Sequence, residues 1–191
     1  MSSSYRIELN NWLANLEVVA DTVYDVGGSQ EGVKSRVPRW EVKNYLVFDL
    51  EQPHADSPKP DVVCDLNIKH QPVLHDYREL ADIVFCLEVF DYVYDPVNAF
   101  TILYNLTKPG GKCYISFPFF YPTHNPIEDD CLRYTEFGIR KLAERVGFKI
   151  SKIIPRRPET SAVEALWRSE RMRAAKHYDH NVTGWIVELE K

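Results

Sequence analysis

The chain has 191 residues, of which 45% are hydrophobic and 27% charged, and its formal net charge is −5. That length suits one domain, and a globule of this size buries roughly 70% of its unfolded surface without disulfide or metal staples. The balance argues against disorder, and the mild acidity argues against a protein whose main business is gripping phosphate backbones.

Taken in order, residues 5–18 place Ile7, Trp12 and Leu16 near one helical face. A strand is expected at about 20–26, ending in Asp25-Val26-Gly27-Gly28-Ser29, with a short helix near 30–36 stopped by Pro38. Apolar β-rich runs follow at 44–50, 61–64 and 82–87. Asp95-Pro96 starts a helix that runs to about Thr107, and Pro109-Gly110-Gly111 is a turn into a strand at 112–118. A helix is expected at 134–146, with Thr135 as N-cap and Gly147 as C-cap. Strands at 148–155 and 182–189 flank a basic helix at 159–176.

Short apolar strands, each followed by a helix, predict an α/β fold. It is a doubly wound, mostly parallel seven-stranded sheet with helices on both faces and an antiparallel edge strand. Residues 1–19 are expected to form an N-terminal helix packing on a Rossmann-like domain of residues 20–191.

Residues 1–135 hold 11 Lys/Arg against 20 Asp/Glu, and residues 136–191 hold 12 against 8. The basic excess, with Arg168, Arg171, Arg173 and Lys176, reads as a solvated helix face; a substrate lid or a homodimer surface are its alternatives. Cys64, Cys86, Cys113 and Cys131 form no CxxC pair and fit free thiols in a reducing compartment. With no apolar signal core and no membrane-length apolar stretch, a soluble cytoplasmic protein is expected. His177-Tyr178-Asp179-His180 lacks zinc spacing, so no metal is expected.

In such sheets ligands bind beyond the carboxyl ends of the strands. Strand one runs into Asp25-Val26-Gly27-Gly28-Ser29-Gln30-Glu31-Gly32, and strand two ends in Asp49-Leu50, where a carboxylate suits ribose hydroxyls. Strand three ends in Asp65-Leu66, strand four in Cys86-Leu87-Glu88-Val89, and Leu106 to Gly111 precedes strand five. Together with Arg133-Tyr134-Thr135 and Gly147-Phe148, this ordered set resembles the class I S-adenosylmethionine-dependent methyltransferases over residues 20–155. Only Gly27 matches the family's Gly-x-Gly-x-Gly; Ser29 and Glu31 stand at its other two glycine positions.

The resemblance implies S-adenosyl-L-methionine as cofactor and these roles. The Gly27–Ser29 backbone, with Gly28, passes under the methionine part. Asp25 steadies the turn and faces the amino group. Asp49 accepts both ribose hydroxyls and Leu50 packs on the adenine. Asp65 and the Leu66 amide read the adenine, and the Cys86 carbonyl, beside Leu87, accepts from the ammonium.

Methyl transfer is mainly positioning, with proton removal added for an oxygen acceptor. In the polar segment after strand five His124 is the candidate base, with a backbone-bonded loop histidine as its alternative. Tyr92 either fills the space near the sulfonium or packs. Asp130 and Arg133 either pair to fix the loop or touch substrate. The leading reading is methylation of a small molecule, a sugar or metabolite hydroxyl or amine, with no membrane partner and no general nucleic-acid binding. Methylation of nucleic acid or protein, and cofactor binding without catalysis, are the alternatives.

Overall fold

The computed structural model describes residues 4–53, 57–123, 125–157 and 182–191. Its centre is a seven-stranded sheet in the order β3-β2-β1-β4-β5-β7-β6. The strands are β1 (Glu17–Val26), β2 (Arg39–Asp49), β3 (Val62–Val63), β4 (Ala81–Cys86), β5 (Thr107–Pro118), β6 (Lys149–Arg156) and β7 (Gly184–Glu190). The pairs β1–β2, β2–β3, β1–β4 and β4–β5 are parallel. The antiparallel member is β7, which runs against both β5 and β6, so the rim itself is held by β6. The strand order reverses between β1 and β4, the place where an open α/β sheet opens a crevice.

Alternate residues of the central strands feed two cores, one on each face. Tyr24, Val26, Phe48, Val84 and Cys86 join one cluster, together with Phe100, Leu103 and Leu106 of α2 (Pro96–Leu106) and Ile139 and Ala143 of α3 (Glu136–Val146). Val23, Phe85, Leu87 and Tyr114 join the other, under Leu9 and Leu13 of α1 (Ser4–Ala14). Helices thus cover both faces, as the sequence predicts.

The helix ends follow local chemistry. Asp95 accepts from the Asn98 N–H at 3.1 Å with Pro96 in the first turn of α2. Thr135 accepts from the Gly138 N–H at 3.1 Å, and Gly147 closes α3 in the left-handed region with φ of +108°.

Several boundaries differ from the sequence expectation. β1 and β2 begin three and five residues before the runs expected at 20–26 and 44–50. Their first halves pair only with each other and read as mixed polar and apolar sequence rather than as a buried run. The helix expected at 30–36 shrinks to a three-residue 3-10 turn, Val33–Ser35, and an unanticipated 3-10 helix spans Pro72–Tyr77. The turn at Pro109-Gly110-Gly111 is absorbed into β5 as an irregularity, with the Gly110 N–H donating to the Lys191 carbonyl at 2.9 Å. The basic helix expected at 159–176 and the segment His177 to His180 lie outside the described residues.

Candidate active site

Beyond the carboxyl ends of β1, β2, β3 and β4 lies a cavity of about 970 Å³. Its floor begins with Gly27, which continues β1 at φ of +85° and donates its N–H to the Phe48 carbonyl at 2.7 Å. A Cβ there would stand 2.2 Å from Val89 Cγ2, so the loops after β1 and β4 meet where only glycine fits.

Asp25 is 2% exposed and does not line the cavity. Its Oδ2 accepts from the Val33 N–H at 2.8 Å and the Tyr45 hydroxyl at 2.6 Å. Its carboxylate is thus engaged inside the protein, where it steadies the turn. Gly28 makes the room, since a Cβ there would come within 2.5 Å of the Asp25 carboxyl. Burial pushes the Asp25 carboxyl up to about 6, against the lowering effect of its bonds from Tyr45 and Val33. Burial and the neighbouring Asp25 charge push the Tyr45 phenol up.

Asp49, at the end of β2, joins two loops. One carboxylate oxygen accepts from the Ser29 N–H at 3.1 Å and the other from the Leu50 N–H at 2.8 Å. Both oxygens keep lone pairs, and the residue lines the cavity with the half-exposed Leu50. Ser29 Oγ is buried and has no hydrogen-bond partner among the described residues. Next along the wall, Asp65 is clamped by Gln71, which accepts from the Asp65 N–H at 2.9 Å and donates to its carbonyl at 2.7 Å. The Asp65 carboxylate accepts from the Asn67 N–H at 2.8 Å. The Leu66 carbonyl accepts from Asn98 at 2.7 Å, which ties this turn to α2. Cys86 is fully buried in β4, and the residues of that strand end that reach the cavity are Leu87, Glu88 and Val89.

The opposite wall comes from the loops after β4 and β5. The Tyr92 hydroxyl donates to the Asn125 carbonyl at 3.0 Å, linking the two loops. Burial and the nearby Asp91 push its phenol up to about 12, so at neutral pH it keeps its proton and stays a hydrogen-bond donor. Arg133 forms a two-pronged pair with Asp130, with Nη2–Oδ2 at 2.7 Å and Nη1 on Oδ1. It also donates to the carbonyls of Tyr121, at 3.1 Å, Leu132, at 2.9 Å, and Pro122, at 3.3 Å. Neither residue lines the cavity, so the pair fastens the loop. His124 lies outside the described residues.

The motifs miss one group. Arg6 and Asn10 of α1, Glu31 and Arg36 of the loop after β1, and Glu88 together form a charged corner. No local signal in the sequence finds it, because α1 reaches the cavity only through tertiary packing. Among the described residues no cluster of three His, Cys, Asp or Glu side chains could hold a metal ion. No helix there is long and apolar enough to cross a membrane.

Residues 25–115, which hold the strands and loops of the cofactor wall, match the family described as "Methyltransferase domain". That match spans just under half of the chain, and together with the sheet order it indicates an S-adenosylmethionine-dependent methyltransferase of seven-stranded Rossmann-like fold. Among solved structures it is similar to an S-adenosylmethionine-dependent methyltransferase from Mesorhizobium loti, with 15% identity, a TM-score of 0.62, and coverage of 100% of this chain and 99% of that one. A methyltransferase from Archaeoglobus fulgidus is similar at 13% identity and a TM-score of 0.61, covering 100% and 95%. So is a geranyl diphosphate C-methyltransferase from Streptomyces coelicolor, seen with S-adenosyl-L-homocysteine, at 13% identity and a TM-score of 0.57, covering 98% and 80%. No curated protein matches the sequence. At these identities the neighbours carry the fold alone.

The residues present fit S-adenosylmethionine. Asp49 lines the cavity and offers two acceptor oxygens for a diol, and Gly27 lies on the same wall, where only glycine fits against Val89. Several carboxylates around the cavity suit a cationic sulfonium.

Proposed function

We propose that this methyltransferase acts on a small-molecule acceptor, a hydroxyl or an amine, held between the cofactor and the loops after β4 and β5. The size and lining of the cavity support this reading. Its volume of about 970 Å³ stands at the upper end of the roughly 300–1,000 Å³ of small-molecule sites, more than a nucleoside fills alone. The wall left over presents Tyr92, Tyr121, Asn125 and Asp129, a mixture of rings and polar groups suited to a compact polar acceptor.

The bound cofactor supplies an electrophilic methyl group. The protein's own part is alignment. Asp49 and the Leu66 turn fix one end of the cavity, while the Arg133–Asp130 pair and the Tyr92–Asn125 bond hold the facing loop. With its phenol raised and its O–H given to the Asn125 carbonyl, Tyr92 fastens the loop and does not serve as a base. His124 remains our candidate for proton removal from a hydroxyl acceptor.

The test uses methyl-labelled S-adenosylmethionine with an extract split by ultrafiltration. Enzyme-dependent label in the filtrate is expected. Label confined to retained nucleic acid or protein would overturn the small-molecule assignment.

A further inference from the structure

The corner of the cavity beneath α1 carries two charged side chains for which the roles above have no use. Arg36 is half-buried at the end of the 3-10 turn. Its Nε and Nη2 both donate to Asn10 Oδ1, at 3.1 and 2.7 Å, which fixes the guanidinium plane. Among the described residues no carboxylate comes within ion-pair distance of it, and Nη1 has no acceptor. The neighbouring Glu31 is engaged by Arg6 at 3.3 Å.

Glu88 provides the opposite charge. Its backbone is left-handed, with φ of +60°, a conformation that costs a non-glycine residue energy and marks many functional sites. Oε1 accepts from Ser116 Oγ at 3.0 Å and from Arg156 Nη1 at 2.7 Å, and the Glu88 N–H donates to Ser116 Oγ at 2.7 Å. Arg156 is only 1% exposed, so the carboxylate is gripped from within the protein. Oε2 has no partner among the described residues, and Glu88 lines the cavity.

Arg36 and Glu88 line the same cavity, and no ion pair joins them. A fixed cation and a fixed anion on one cavity wall complement a group that bears both charges on one carbon. A plain anion would leave Glu88 unused, and a plain ammonium would leave Arg36 unused. We propose that Arg36 and Glu88 clamp the α-amino-acid end of S-adenosylmethionine, the guanidinium taking its carboxylate and Glu88 its ammonium. This rests on the cofactor assignment made above. It also explains how the carboxylate is held without a helix. In many such folds the amides opening a helix after the first strand hold an anion; here that place is a three-residue turn.

Calorimetry with three nucleosides tests the clamp. S-adenosylhomocysteine carries both charges, decarboxylated S-adenosylmethionine lacks the carboxylate, and 5′-methylthioadenosine lacks the whole amino-acid end. Arg36→Met should weaken S-adenosylhomocysteine about tenfold or more and change the other two by less than about twofold. Glu88→Gln, which keeps an acceptor for Ser116 and Arg156, should weaken the first two ligands and spare methylthioadenosine. Retained methylthioadenosine affinity shows that each variant is folded, and if Glu88→Gln unfolds, Arg36→Met decides. Equal losses on S-adenosylhomocysteine and methylthioadenosine, or no loss on either, overturn the clamp. A wild-type protein that binds none of the three would instead overturn the cofactor assignment.

Discussion

The two walls of the cavity are built by different means. The cofactor wall, from β1, β2 and β3, is made of backbone and of carboxylates pinned by backbone N–H groups: Gly27 at positive φ, Asp49 accepting from Ser29 and Leu50, Asp65 clamped by Gln71. The facing wall, from the loops after β4 and β5, is held by side chains gripping carbonyls across long sequence separations, as with Tyr92 on Asn125 and Arg133 on Tyr121. A wall of the first kind serves a ligand that does not change, and one of the second kind can be re-cut for a new acceptor without disturbing the sheet.

Changing Gly27 should break this contrast most severely. Gly27→Val forces a branched side chain into the left-handed region and against Val89, at a spot where the two walls touch. We expect several kcal/mol of destabilisation, about 3 or more, and no measurable S-adenosylhomocysteine binding. Thermal denaturation and calorimetry check both; a variant of near wild-type stability would mean that the loop does not need glycine.

The next effect lies beneath the cofactor wall. Burial raises the folded-state Asp25 carboxyl to about 6, above the unfolded value of about 3.8. The unfolded chain then releases this proton at lower pH than the folded one. The contribution is fully present below about pH 4, is lost as the pH rises to about 6, and is flat above that. The span corresponds to about 3 kcal/mol. Other carboxylates titrate too, so the quantity to measure is the stability of wild type minus that of Asp25→Asn, by urea unfolding from pH 4 to 7. The difference should fall with rising pH and then level; a pH-independent difference would show that Asp25 has an ordinary pKa.

Asp49 gives a smaller effect confined to binding. Removing a charged acceptor of ribose hydroxyls forfeits about 1.5–3 kcal/mol, so Asp49→Ala should weaken S-adenosylhomocysteine roughly tenfold or more. Unchanged affinity by calorimetry would take Asp49 out of the ribose role.

The same contrast decides what could be read beforehand. The cofactor wall is local: each motif residue follows its own strand, so Gly27, Asp49, Asp65 and Leu66 can be picked from the sequence, and in the structure they line one cavity. The caps Asp95, Thr135 and Gly147 are local for the same reason. What escaped was non-local. Arg36, Asn10 and Glu88 come from three separate segments. Gly28 looks like part of a cofactor loop, yet its missing side chain makes way for Asp25. Strand starts at Glu17 and Arg39 escaped because exposed, mixed sequence pairs there without a buried pattern.

The least effect should come from the facing wall, at Tyr92. Its hydroxyl donates an exposed hydrogen bond to the Asn125 carbonyl, and its ring stays in Tyr92→Phe. An exposed neutral bond contributes about 0.5–1.5 kcal/mol, and solvation of the freed carbonyl places this one at the lower end. Urea unfolding should therefore show a loss of under about 1 kcal/mol, and S-adenosylhomocysteine affinity should not change, since the cofactor wall makes no use of the bond. Hydrogen exchange should locate the change, with protection falling in the loops after β4 and β5 and staying constant in those after β1 and β2. A drop in cofactor affinity of about tenfold in Tyr92→Phe would mean that the two walls are one coupled unit, and that the acceptor loops cannot vary independently of the cofactor site.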